Sequence, residues 1–187
     1  MPALFLALLT SALAVCGGRP ARLTARMAEA LGGSAGLLIA CWLGAIATSA
    51  LAAWAGALLA PQMAPAGKAM FVAFALALAA LELLFVRERA APAEPTRSLG
   101  AIALVLFAGQ LTDAARFFVL ALAVATGAPI LAAAGGALGS GAVLTTAWAL
   151  GGAWHAQLPL RALRLGVGAL FGLAAIVVAL AARGVIG

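Results

Sequence analysis

Gly44-Ala45-Ile46-Ala47-Thr48-Ser49-Ala50-Leu51 returns in the second half of the chain as Gly136-Ala137-Leu138-Gly139-Ser140-Gly141-Ala142-Val143. Both stretches order glycine, small polar and aliphatic residues alike, and both lie inside long apolar runs. The match extends outward on either side. Gln62-Met63-Ala64-Pro65 is echoed by Gln157-Leu158-Pro159, and Arg22 to Gly33 runs in parallel with Arg116 to Gly127. Self-similarity on this scale points to two copies of one supersecondary unit. Each copy contains three apolar runs, an odd number, so the second must cross the membrane upside down relative to the first. Inverted repeats are a transporter signature, with the substrate site near the midplane where the halves meet.

The membrane itself follows from composition. Of 187 residues, 66% are hydrophobic and 9% charged, and the mean hydropathy is +1.20. So few polar side chains cannot cover a water-exposed surface, so the lipid bilayer must cover much of it. The apolar runs are Ala3 to Leu31, interrupted by Gly17, Gly18 and Pro20, then Ala35 to Ala60, Lys68 to Val86, Leu99 to Thr126, Pro129 to Gly152, and Leu160 to Ala182. Each is near or above the ~20 residues that span a hydrocarbon core. The expected fold is an all-α polytopic membrane protein of about six transmembrane helices in two inverted three-helix repeats. These occupy residues 1–86 and 98–187, joined by a hydrophilic linker at 87–97.

Eleven Lys/Arg against five Asp/Glu give a net charge of +6. The cations lie between apolar runs rather than in a dense stripe, which speaks against nucleic acid and for a role in orientation. Arg87, Arg89, Arg97, Arg161 and Arg164 fall on one side, Lys68 and Arg183 on the other. The positive-inside rule then makes the linker cytoplasmic and puts both termini outside, and a bacterial inner membrane is the expected location. Met1 to Val15 reads as a retained first helix rather than a signal peptide, because no Lys or Arg precedes it and Val15 is too bulky for a cleavage site. Cys16 and Cys41 read as small buried thiols. His155 is alone, so no zinc cluster forms, and no Ser/His or Cys/His pair lies at depth. An enzyme is not expected, nor a cofactor, while a homo-oligomer is compatible with the sequence. Gly136-x-x-Gly139-x-Gly141 lacks a preceding strand and reads as close helix packing. Trp148 and Trp154 suit an interfacial belt, and Trp42 and Trp54 suit packing.

Ionisable residues inside a membrane usually face a partner, a cavity or a pathway. Asp113 stands out, in Gln110-Leu111-Thr112-Asp113-Ala114-Ala115-Arg116. The repeat alignment sets this against Cys16-Gly17-Gly18-Arg19-Pro20-Ala21-Arg22, so that Arg19 is the counterpart of Asp113. A one-residue shift puts Gly18 there instead. Arg19, Arg22, Arg26 and Glu29 recur at three- and four-residue steps and share one helix face. Two partners for Asp113 remain open: Arg19 across the repeat interface, and Arg116 one turn along the same helix.

With these residues in view, the chain resembles the transmembrane-protein-165 family of manganese and calcium exchangers, also known as uncharacterised protein family 0016. In that family each of two inverted three-helix repeats opens with a helix carrying Glu-x-Gly-Asp-(Lys/Arg)-(Ser/Thr). The second half also has a family-like order: motif helix, Thr126 to Pro129 turn, small-residue helix, then Leu158-Pro159-Leu160-Arg161. Carried onto this sequence, Gln110 stands for the Glu, Thr112 for the Gly, and Asp113 is kept. Ala114 and Ala115 replace the basic and hydroxyl positions. In the first repeat Cys16 replaces the Glu and Arg19 the Asp, so no carboxylate is left there in either register.

The resemblance implies transport of a divalent cation, manganese or calcium, with Asp113 and Gln110 as metal ligands. Thr112, Cys16, Arg19 and Arg116 would lie along the pathway, and a proton could be the coupling ion. Hard dications ask for several carboxylates, and this chain offers one at the motif. Two alternatives stand beside it: a non-transporting membrane scaffold in which an Arg19–Asp113 pair replaces the ion, and a transporter of an anionic or organic solute drawn to the arginines.

Overall fold

Proline, glycine and short polar residues decide where these apolar runs stop being straight. The structure, a computed structural model, describes residues 1–85, 98–154 and 159–185. The linker at 87–97, His155 and the Gln157-Leu158 turn lie outside the described residues. The helices are α1 (Pro2–Gly17), α2 (Arg19–Ala30), α3 (Ala35–Leu59, extended by a 3-10 turn Ala60–Gln62), α4 (Pro65–Phe85), α5 (Leu99–Leu111), α6 (Ala114–Thr126), α7 (Pro129–Leu150) and α8 (Leu160–Ala182). Four of them, α3, α4, α7 and α8, are long and apolar enough to cross a membrane, and the count reaches six if each bent pair forms one span. The chain is an all-α polytopic membrane protein.

The first bend, 59° between α1 and α2, has a local cause. Pro20 has no N–H, and its ring would collide with the carbonyl one turn back, so the helix cannot run through. Gly18 takes an extended conformation (φ −79°, ψ 177°) and caps α2. The run expected to be continuous from Leu99 to Thr126 is also bent, by 54° between α5 and α6. Here Asp113 takes the extended cap conformation (φ −83°, ψ 149°). Short polar side chains favour such positions over helix interiors.

Each half thus has the same order: bent pair, long helix, long helix. Equivalent long helices meet antiparallel. Trp148 Nε1 donates to the Ser34 carbonyl (3.1 Å) and Trp42 Nε1 to Thr145 Oγ1 (3.0 Å), so α7 descends as α3 climbs. Arg164 Nε donates to the Leu83 carbonyl (2.9 Å) where α8 starts beside the end of α4. The bent helices instead run parallel to the long helix of the other half. Gly135 and Gly139 lie against the Leu4 and Leu8 carbonyls of α1, and Gly56 of α3 against the Leu120 carbonyl of α6.

Small residues make these approaches close. A side chain at Gly141 would meet the Trp42 ring, and one at Gly136 would drive into Val119. The packing reading of the glycine stretch holds, as does that of Trp42. Trp54 and Trp154 differ from expectation. Trp54 is 63% exposed, because the buried stripe of α3 runs through Ala52, Ala53 and Gly56 and leaves it outside. Trp154 is only 2% exposed, because the chain turns at Gly151 (φ 49°) and folds the ring into the main core.

A candidate site at the two helix breaks

The break registers decide which residues are counterparts. Gly18 and Asp113 occupy the same cap position in the two halves, so the shifted alignment is the structural one and Arg19 is not the equivalent of Asp113. In that register Gly17, Gly18 and Arg19 stand opposite Thr112, Asp113 and Ala114. The two caps face each other. A Cβ at Gly18 would come within 3.2 Å of Asp113 Oδ1. Without that Cβ, the second-half carboxylate lies directly against the first-half break.

Asp113 is 2% exposed; among the described residues neither oxygen makes a hydrogen bond of ordinary geometry, and the N–H groups of Ala114 and Ala115 at the start of α6 act on the carboxylate. The charges it feels are those of Glu82 and Arg116. The expected Arg19–Asp113 pair does not form. As the first residue of α2, Arg19 projects outward and is exposed, and the charge it acts on is that of Glu82. Its neighbours on that face behave similarly: Glu29 is exposed, Arg26 is half-buried, and Arg22 turns its Nε to the Gly18 carbonyl (3.3 Å).

Arg116 is the buried cation of the centre, 3% exposed. Its guanidinium donates to the Ala45 carbonyl (3.1 Å) and to the hydroxyls of Ser49 and Ser140. These oxygens come from α3 and α7, within the two stretches that repeat in sequence. Nε has no partner among the described residues. A partly open cavity of about 190 Å³ runs alongside between α3, α5 and α6, walled by Leu51, Ala52, Leu111, Phe117 and Arg116 itself.

Gln110 is also deeply buried, at 1% exposed. Its Nε2 donates to the Cys41 carbonyl (3.3 Å) through the space left by Gly44, and Oε1 has no partner among the described residues. Thr112 and Cys16 do not join this group. Thr112 is exposed and returns its hydroxyl to the Ala108 carbonyl (3.1 Å), and Cys16 is a half-buried free thiol at the end of α1.

Glu82 is the residue missed by the sequence reading. Half-buried near the end of α4, it accepts the Ala114 N–H at 2.9 Å and so caps the start of α6. It faces the positive charges of Arg19 and Arg22. Its signal was a lone acid inside the run Leu81-Glu82-Leu83-Leu84. Removing this acceptor leaves a helix N-terminus uncapped, so Glu82→Ala is expected to lower stability by about 1 kcal/mol. Glu82→Gln should fall between. Thermal melts in detergent read this, and an alanine variant that melts with the wild type would remove the cap from the account.

Among the described residues, no three His, Cys, Asp or Glu side chains gather at a metal-binding distance. The centre is instead two carboxylates, Asp113 and Glu82, one amide and one guanidinium. No protein-family model, curated protein or solved structure matches the chain.

Proposed function

We propose that this protein is a membrane transporter that exchanges a small inorganic cation for protons, with Asp113 as the group that holds each in turn. The observation carrying this reading is the position of Asp113: a buried carboxylate, neither oxygen in a hydrogen bond of ordinary geometry, where the two helix breaks meet. An ionisable group kept at such depth in a membrane is costly, which supports a place on a pathway. Broken helices at a repeat interface supply the setting, because freed backbone groups and unwound turns can bind and release ions there. Gln110 Oε1 is a neutral oxygen free to join the ion, and Glu82 a second carboxylate within electrostatic reach.

Manganese or calcium is the expected cargo, on the family resemblance. The orientation proposed is central linker in the cytoplasm and termini outside, in a bacterial inner membrane. The test is manganese and calcium uptake into proteoliposomes, with and without a pH gradient. Uptake that follows the gradient and is lost in Asp113→Asn is the expected result. A folded wild type that moves neither ion under either gradient would end the cation reading.

One observation favours a second reading. The N-termini of α2 and α6 both start at this centre, next to buried Arg116, and helix N-termini with arginine suit anions. Anionic solutes in the same vesicles test it.

A further inference from the structure

The oxygens that hold Arg116 are of the kind that hold a metal cation. Ala45 contributes a backbone carbonyl, Ser49 and Ser140 contribute hydroxyls, and the carboxylate of Asp113 acts on the same guanidinium. Hard cations bind neutral oxygens and carboxylates in such sets. The oxygens that hold it also come from both halves, since Ala45 and Ser49 lie on α3 and Ser140 on α7, while Asp113 acts on the guanidinium through its charge from the start of α6. A cation here would tie the same helices together that Arg116 ties now.

We propose that this oxygen set is a cation seat occupied by the chain's own guanidinium, so that a bound metal cation and a seated Arg116 exclude one another. The inference rests on the reading of Asp113 as the cation-binding group and deepens it by naming the competitor. Two like charges at contact range in a low-dielectric setting repel strongly, so both cannot stay. Arg116 then keeps the centre neutralised when no cation is present, and an entering ion must displace it. This also accounts for a chain with so few carboxylates at its centre: one of the positive charges is built in.

The test is a binding measurement, separate from transport. Manganese binding to purified protein in detergent is followed by loss of the free-ion paramagnetic resonance signal, in the wild type, Arg116→Gln and Arg116→Gln with Asp113→Asn. The expected result is at least roughly tenfold tighter manganese binding in Arg116→Gln, a modest figure for removing a like charge at contact, and its loss in the double variant. Equal affinity in Arg116→Gln and wild type overturns the proposal, as does a gain that survives Asp113→Asn. If Arg116→Gln does not fold, Arg116→Ala is purified with guanidinium ion present. Guanidinium should then raise its melting temperature and compete with manganese, and no effect on melting overturns the proposal. The two readings fail separately. Wild-type uptake without any gain in Arg116→Gln leaves the exchanger and removes the seat, whereas a gain in Arg116→Gln without wild-type uptake leaves the seat and removes the exchanger.

Discussion

Gly135→Ala combined with Gly139→Ala is expected to prevent α1 from docking on α7, leaving a protein that expresses poorly and melts at a much lower temperature in detergent. In the folded chain the α-carbons of both glycines lie against backbone, and the methyl groups would drive into the Leu4 and Leu8 carbonyls. Backbone oxygens cannot rotate away as a side chain can. Overpacking in a dense interior costs about 1–3 kcal/mol per site even where neighbours can yield, and here the whole helix must retreat. Retreat also forfeits the close contact that drives helix association in lipid, where burial of apolar surface contributes little. Gly166→Ala is the control, since nothing lies within 4 Å of a Cβ there. A double variant that melts with this control would show that α1 is not held as described.

Arg116→Met is expected to destabilise the bundle by about 3 kcal/mol, the order found when one member of a buried charged group is removed. Three acceptors on α3 and α7 lose their donor, and Asp113 loses its nearby positive charge. The informative comparison is the pair. Adding Asp113→Asn to Arg116→Met should restore a good part of the loss, because an amide leaves no uncompensated charge behind. Unfolding in denaturant with the four members of the cycle reads the coupling. Strict additivity of the two substitutions would mean that Asp113 and Arg116 do not act on one another, and the account of the centre would need a different counter-charge.

The membrane class, the helix boundaries of α3, α7 and α8, and the repeated order of elements were legible in the amino-acid sequence. Apolar runs of spanning length separated by Gly/Pro punctuation are local signals. So is the first helix break, because Pro20 cannot be accommodated in a continuing helix whatever surrounds it. The second break carries no proline or glycine. An apolar run containing Thr112 and Asp113 could continue as a helix; in the fold it opens with Asp113 in the cap conformation, and Glu82 of α4 accepts the freed Ala114 N–H. That partner is distant in sequence.

The candidate site divides along the same line. Asp113, Gln110 and Arg116 could be singled out because polar groups in an apolar run are costly and therefore noticeable. Which cation serves Asp113 could not be decided that way, since Arg19 and Arg116 are both at suitable spacings. The choice fell to Arg116 because the break at Gly18 starts α2 with Arg19 on its exposed side. Ser49 and Ser140 were visible within the repeat but indistinguishable from packing residues until α3 and α7 crossed and placed both hydroxyls on one guanidinium. Hydropathy and chain-local stereochemistry thus determined by themselves that this protein lives in a membrane as two like halves. Where its charges meet was decided only by the tertiary structure, because a buried charge is stabilised by whichever oxygens the fold brings within reach, and those come from helices far apart in the chain.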